Sequence, residues 1–169
     1  GVQSAVSHAA SCNGHRVAAL VQARVSLPES GEGGTYRVWF DTHRTNYFYW
    51  LIPESDRVAT VGLIAEDVPQ AKARLMEFLR EKQLEAIEFQ SAIVPMHQFG
   101  SANGAVDPNR NVFVVGDAAA QVKVTTVGGV VPGLYGARAL AQAILNGRNY
   151  RKELGGLKME LPLHLMVRN

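Results

Sequence analysis

The sequence of 169 residues is poor in several things, and each scarcity narrows its function. It has one cysteine, Cys12, so no internal disulfide can form, which fits a reducing compartment. No apolar run approaches the roughly 20 residues of a membrane-spanning helix. The first residues carry no charged leader followed by an apolar block. The reading is of a cytoplasmic protein with at most peripheral membrane contact. Excess charge is also absent: 17 basic residues stand against 15 acidic ones, and no basic run speaks for a nucleic-acid partner. The five histidines, at positions 8, 15, 43, 97 and 164, show no paired spacing of the His-x-x-x-His kind, which argues against a metal site. There is no Gly-x-Ser-x-Gly elbow and no Cys/His constellation, so nothing points to hydrolysis.

What is present is a globular core, with 47% hydrophobic and 19% charged residues. Residues 15–27 alternate around Val17, Ala19, Val21, Ala23 and Val25, the period of a half-buried strand. A turn at 28–34 leads to three strand candidates, 35–41, 46–52 and 57–65, whose short polar connections predict an antiparallel meander. From Val68 the period changes: Ala71, Leu75, Phe78, Leu79 and Leu84 fall on one side of an amphipathic helix over the sheet. A further strand at 86–95, a polar loop at 97–111, a buried strand at 112–116 and a helix over 129–146 stopped by Gly147 complete the pattern. Leu154, Leu157, Leu161 and Leu165 follow at helical spacing, for packing or for a membrane surface, while Pro162 argues against one uninterrupted helix. The fold class is α+β with a largely antiparallel sheet, divided at residues 1–110 and 111–169 within one compact unit. The start "GVQSAVS" and the apolar end "LPLHLMVRN" read as those of a piece of a longer protein.

The stretch "VVGDAAAQVKVTTVGGVV" carries the chemistry. A strand ending in Gly116-Asp117 delivers a carboxylate to a sheet edge, where open α/β folds bind ligands and where an acceptor suits a ligand hydroxyl. Gly128 and Gly129 let backbone N–H groups approach a ligand, and the helix after them turns its positive end toward an electron-rich atom. Taken alone, the same residues also describe a plain connection in which Asp117 caps a turn and the glycines relieve tight packing.

The longer string "NVFVVGDAAAQVKVTTVGGVVPGLYGARALAQAI" resembles the second flavin-binding motif of the geranylgeranyl reductases, a family in the p-hydroxybenzoate hydroxylase-like group of FAD enzymes. The resemblance implies that Gly116 and Asp117 hold the ribityl chain of FAD. It also implies that Gly128, Gly129 and the backbone at Val130 face the pyrimidine side of the ring. The run Lys-x-Thr-Thr-x-Gly-Gly at 123–129 is like that of the reductase branch. Upstream, "FYWLIPESDRVATVGLI" is similar to the family's substrate motif, Tyr-x-Trp-x-Phe-Pro followed by Gly-x-Gly. Trp50, Pro53 and Gly62 match, whereas Phe48, Ile52 and Ile64 replace the tyrosine, the phenylalanine and the last glycine. Phe48, Trp50, Ile52 and Pro53 are thereby implied in substrate binding; without the flavin motif they read as an aromatic strand packing its own core. "GVQSAVS" is similar to the tail of an Asp-Gly motif, with Gly1 and Ser4 kept and Ser7 in place of arginine.

The family's opening Gly-x-Gly-x-x-Gly on a βαβ unit is not found, so the Rossmann part that anchors the FAD diphosphate is expected outside this sequence. The expected function is hydride transfer from reduced FAD to isoprenoid double bonds, with an apolar small-molecule substrate and a reduced electron donor as partners. Catalytic residues are not identified. Two other readings stand beside it: a flavin-dependent halogenase or monooxygenase, because "FYWLIP" also resembles the halogenase Trp-x-Trp-x-Ile-Pro motif, and a non-catalytic lipid- or protein-binding module. His97 is a candidate for the flavin ring edge or for a solvated loop. Lys123 and Arg138 are candidates for solvent or for a phosphate head group.

Overall fold

The computed structural model describes residues 16–28, 34–98 and 112–168. They form two compact units, one of Ala18–Ile93 and one of Arg16, Val17 and the described residues from Val94 onward. The "GVQSAVS" start, Cys12, His8, His15 and the loop at 99–111 lie outside the described residues.

The first unit is built on a five-stranded sheet of order β2-β3-β4-β1-β5, from β1 (Val17–Ser26), β2 (Arg37–Trp39), β3 (Tyr49–Pro53), β4 (Val58–Ala65) and β5 (Glu85–Pro95). The β2–β3, β3–β4 and β1–β4 ladders are all antiparallel, so the predicted meander is present and β1 returns beside its last strand. Its connections show the turn chemistry that the polar residues implied. Asp41 receives the His43 N–H on its carboxylate at 3.1 Å, and the Thr45 N–H on its carbonyl at 3.0 Å. Ser55 Oγ takes the Val58 N–H at 3.2 Å.

Alternation decides what each face holds. Ala19, Val21, Ala23 and Val25 of β1, Tyr49 and Leu51 of β3, and Ala59, Val61, Leu63 and Ala65 of β4 point to one side. Helix α1 (Ala71–Glu81) covers that side with Ala71, Leu75, Phe78 and Leu79, spaced for a single helical stripe. Phe78 stacks on Tyr49 at 4.2 Å between centroids and meets Trp39 edge-on at 5.2 Å. Each such side chain is worth about 1.5–3 kcal/mol when buried, which is why an amphipathic helix of this length stays on the sheet. Leu84 packs against the same core from beyond the helix end.

The end of α1 is tied back by Arg44, whose Nη1 donates to Glu81 Oε2 at 2.9 Å while its Nε lies 3.4 Å from Asp41 Oδ2. The hydrogen bond from Arg44 and its charge hold the Glu81 carboxyl below its usual range. A depressed carboxylate stabilises the fold above the ordinary carboxylate pKa and stops doing so as the pH falls through its folded value. Arg44→Ala is therefore expected to raise the titration midpoint of Glu81 toward the ordinary value, as followed by carboxyl-carbon NMR shifts; an unmoved midpoint would refute the pairing.

In the second unit, helix α2 (Val130–Leu145) ends as the sequence predicts. Gly147 adopts φ +61°, Arg148 N–H reaches the Ala143 carbonyl at 2.8 Å and Gly147 N–H the Ile144 carbonyl, the Schellman arrangement that a left-handed glycine permits. Short α3 (Tyr150–Glu153) and α4 (Gly155–Arg168) follow, and Ala139, Ala143, Tyr150, Leu154, Leu157 and Leu161 make the unit's core. Two expectations fail here. Pro162 does not break the helix, because α4 runs through it; burial of Leu157 and Leu161 offsets the missing hydrogen bond, whose loss costs about 3 kcal/mol. The apolar run at 112–116 is not a strand among the described residues: Val112 is a lone bridge residue and 113–115 join no ladder. Its hydrophobicity serves packing instead, since Phe113 and Val115 lie against the helical core. A continuous apolar run reports burial, and burial does not require strand pairing.

Candidate functional site

Residues 116–129 form a loop held close against α2. Gly116–Ala119 make one 3-10 turn, with Asp117 exposed on it and Ala120 closing it in the left-handed region at φ +51°. Lys123 N–H donates to the Gly128 carbonyl at 3.1 Å, closing a tight antiparallel bridge over Val124–Val127. Gly116 needs its φ of +64°, whereas Ala120 and the β-branched Val127, at φ +53°, hold such a conformation against a cost of about 1–2 kcal/mol each. Strain of this kind persists only where the surroundings over-determine it.

The surroundings here are glycines on one stripe of α2. A Cβ on Gly129 would lie 2.8 Å from Asp117 Oδ1 and 3.4 Å from Val122 Cγ2, so only glycine leaves the carboxylate its place. One turn on, a Cβ on Gly133 would meet the Cα of Gly116 at 3.4 Å. Gly136 leaves room for Gln121, which is fully buried. Gln121 Oε1 accepts the Gly116 N–H at 2.8 Å, its Nε2 donates to Tyr150 Oη at 3.3 Å, and the tyrosine hydroxyl donates to the Val114 carbonyl at 3.3 Å. Burial pushes the Tyr150 hydroxyl pKa up, so it remains a donor across the physiological range.

The structure thus brings Gly116, Asp117 and Gly129 together, with Gly128 and Val130 on either side of Gly129. Among the described residues the Asp117 carboxylate has no hydrogen bond or ion pair, so its acceptor capacity faces outward. The first N–H groups of α2 have no partners within the helix, and Pro132 sits in that first turn where its missing N–H costs nothing. Val130 is 77% exposed beside them. An anionic acceptor and open N–H donors on adjoining backbone suit a ligand with hydroxyls at one end and an electron-rich ring at the other. A ribityl-isoalloxazine has that chemistry.

Sequence reasoning singled out Gly128 and Gly129 but missed Gln121, Gly133 and Gly136. The available signal was glycines at 129, 133 and 136, an i, i+4, i+7 series in a predicted helix, which costs about 1 kcal/mol per interior glycine unless backbone must come close. Lys123 is paired within the chain: its Nζ lies 2.7 Å from Glu160 Oε1. Arg138 is exposed. His97 is buried at 2% exposure, which corrects the solvated-loop expectation; it follows Val94, Pro95 and Met96, all buried at the end of β5.

In the first unit, the sheet face away from α1 carries Phe48, Trp50 and Ile52, with Val38 opposite Trp50 on β2 and Gly62 opposite it on β4. Phe48 meets Trp50 edge-on at 6.2 Å and Phe40 at 6.0 Å. Trp50 covers Gly62 closely, because an added Cβ there would come within 2.7 Å of indole Cε2. Ile52, Val38 and Phe40 are exposed, the last by 77%, which makes an apolar patch of the kind that marks binding surfaces. Its far end is polar: Glu54 takes hydrogen bonds from Thr60 Oγ1 and from Arg24 Nε, the latter at 3.0 Å, which lower its carboxyl pKa. Pro53 does not join the patch; it pairs with Ala59, whose side chain lies in the core on the helix side.

No protein-family model matches the sequence, and no curated protein matches it. Among solved structures the fold is similar to that of a geranylgeranyl bacteriochlorophyll reductase-like protein from Thermoplasma acidophilum, with a TM-score of 0.57 and 16% identity over 91% of this chain and 40% of that one. It is as similar to CmlS, a flavin-dependent halogenase, with a TM-score of 0.57 and 16% identity over 99% of this chain and 32% of that one. The chain therefore spans well under half the length of either. What the likeness establishes is a fold shared with part of each of these proteins, an α+β arrangement with an antiparallel sheet.

Proposed function

We propose that this chain is the part of an FAD-dependent oxidoreductase that contacts the flavin ring and an apolar substrate, with an isoprenoid double bond as the group reduced and a reduced donor as the electron source. The observation that carries this reading is the Asp117 carboxylate lying against Gly129 at the open start of α2. Bound FAD would supply the hydride. The protein's part is binding and orientation. Asp117 accepts a hydrogen bond from a ribityl hydroxyl, Gly116 sets the turn that aims it, and the N–H groups around Gly128, Gly129 and Val130 face the electron-rich edge of the ring. Phe48, Trp50 and Ile52 offer an isoprenoid chain an apolar wall, worth about 0.8 kcal/mol for each methylene removed from water.

Asp117→Ala tests the proposal. A hydrogen bond to a charged group is worth about 1.5–3 kcal/mol, so FAD affinity measured by flavin fluorescence should fall roughly 10- to 100-fold with the thermal midpoint unchanged. With both measured in the complete protein, equal affinity for FAD in the variant and the parent would remove Asp117 from the site, and no FAD binding by the complete parent would favour a binding module.

A halogenase or monooxygenase is the second reading, favoured by the equal likeness to CmlS and by Trp50, Ile52 and Pro53 at the intervals of the halogenase motif. Reducing the flavoprotein without oxygen and then admitting oxygen separates the two. Slow reoxidation supports the reductase; rapid reoxidation coupled to substrate halogenation or oxygenation supports the alternative.

A further inference from the structure

We propose that Glu160, His164 and Arg168 of α4 are positioning residues that latch the 123–129 loop and so set the place of the Gly128–Gly129 backbone. Their i, i+4, i+8 spacing puts them on one stripe of the helix. That stripe meets three consecutive loop residues: Glu160 Oε1 lies 2.7 Å from Lys123 Nζ, Arg168 Nη1 donates to the Val124 carbonyl at 2.6 Å, and His164 Nδ1 shares a hydrogen bond with Thr125 Oγ1 at 2.9 Å.

The loop needs such a hold. Its base is closed by the Lys123–Gly128 bridge, and Val127, immediately before the glycine pair, is a β-branched residue in the left-handed region. A half-exposed ion pair such as Lys123–Glu160 contributes little alone, so the hold comes from the three contacts acting together on adjoining residues. The helix does not depend on these contacts for its own docking, because Leu154, Leu157 and Leu161 already bury it or its approach in the core. Rigidity therefore passes from the anchored helix to the strained loop. The effect on FAD rests on the function proposed above; the latch itself does not.

The test uses the complete flavoprotein and the variants His164→Ala, Thr125→Val, their double and His164→Asn, which keeps a polar atom near the place of Nδ1. Amides of residues 123–129 should exchange with deuterium about tenfold faster in each of the first two, no faster still in the double, and at nearly the parental rate in His164→Asn. FAD affinity should fall in the same order. Unchanged loop exchange in both single variants would overturn the latch, as would equal loss of protection along α2 and α4, which would mean that the helix had merely come loose. Faster loop exchange with unaltered FAD affinity would overturn its link to the cofactor. If the parent binds no FAD, the proposed function falls, while loop exchange still decides the latch.

Discussion

Replacing Gly136 by alanine in the complete protein is expected to lower the thermal midpoint by roughly 8 °C and to weaken the proposed FAD contact with it. The added Cβ would fall on Gln121 Oε1, 2.6 Å from its Cδ and 2.8 Å from its Nε2. A surface glutamine would swing aside, but this one is fully buried and both ends of its amide are engaged. Moving it leaves the Gly116 N–H and one side of the Tyr150 hydroxyl unpaired away from water. Overpacking and the lost bonds together cost about 3–4 kcal/mol, of which the better helix propensity of alanine returns about 1 kcal/mol. Because Gly116 carries the turn that presents Asp117, the stability loss and the loss of the proposed FAD contact should appear together. Calorimetry and a flavin titration on the same variant check this, and a midpoint within about 2 °C of the parent would show that Gln121 is not held as described.

Gly62→Ala is expected to cost roughly 3 kcal/mol and to dislodge Trp50. Its Cβ would overlap indole Cζ2, lie 2.7 Å from Cε2 and stand 2.8 Å from the backbone carbonyl oxygen of Val21. The indole could rotate outward; the β1 backbone cannot move without disturbing its ladder with β4, in which Gln22 is the partner of Gly62. Trp39 and Trp50 are the two tryptophans of the chain, so a Trp39→Phe background leaves the fluorescence of Trp50 alone. A red-shifted emission and a lower denaturation midpoint are expected together. Retention of the parental emission in Gly62→Ala would mean that the close packing of Trp50 against the glycine is not what the residue is for.

The antiparallel meander, the stripe of α1 and the stop at Gly147 were legible because each is a local rule. Alternation assigns sheet faces, a 3.6-residue period assigns the buried side of a helix, and a left-handed cap needs glycine. The motif match named Phe48, Trp50, Ile52 and Pro53 together; alternation in the structure puts the first three on one face, and the register places Pro53 on the other. Expectations failed where a local signal was overruled by packing. Pro162 stays inside a helix whose leucines are buried, and among the described residues Phe113 and Val115 pack on helices instead of joining a ladder.

By itself the sequence determined the elements that alternate or repeat, and it placed a carboxylate and a glycine pair in one loop. Only the tertiary structure decided that Asp117 lies against Gly129, that Gln121 fills the space left by Gly136, and that α4 grips the loop through residues about 40 positions further along the chain. The reason is physical: periodicity records which side of an element avoids water, whereas a site is made by contacts between segments distant in sequence, whose geometry follows from how several buried faces close together.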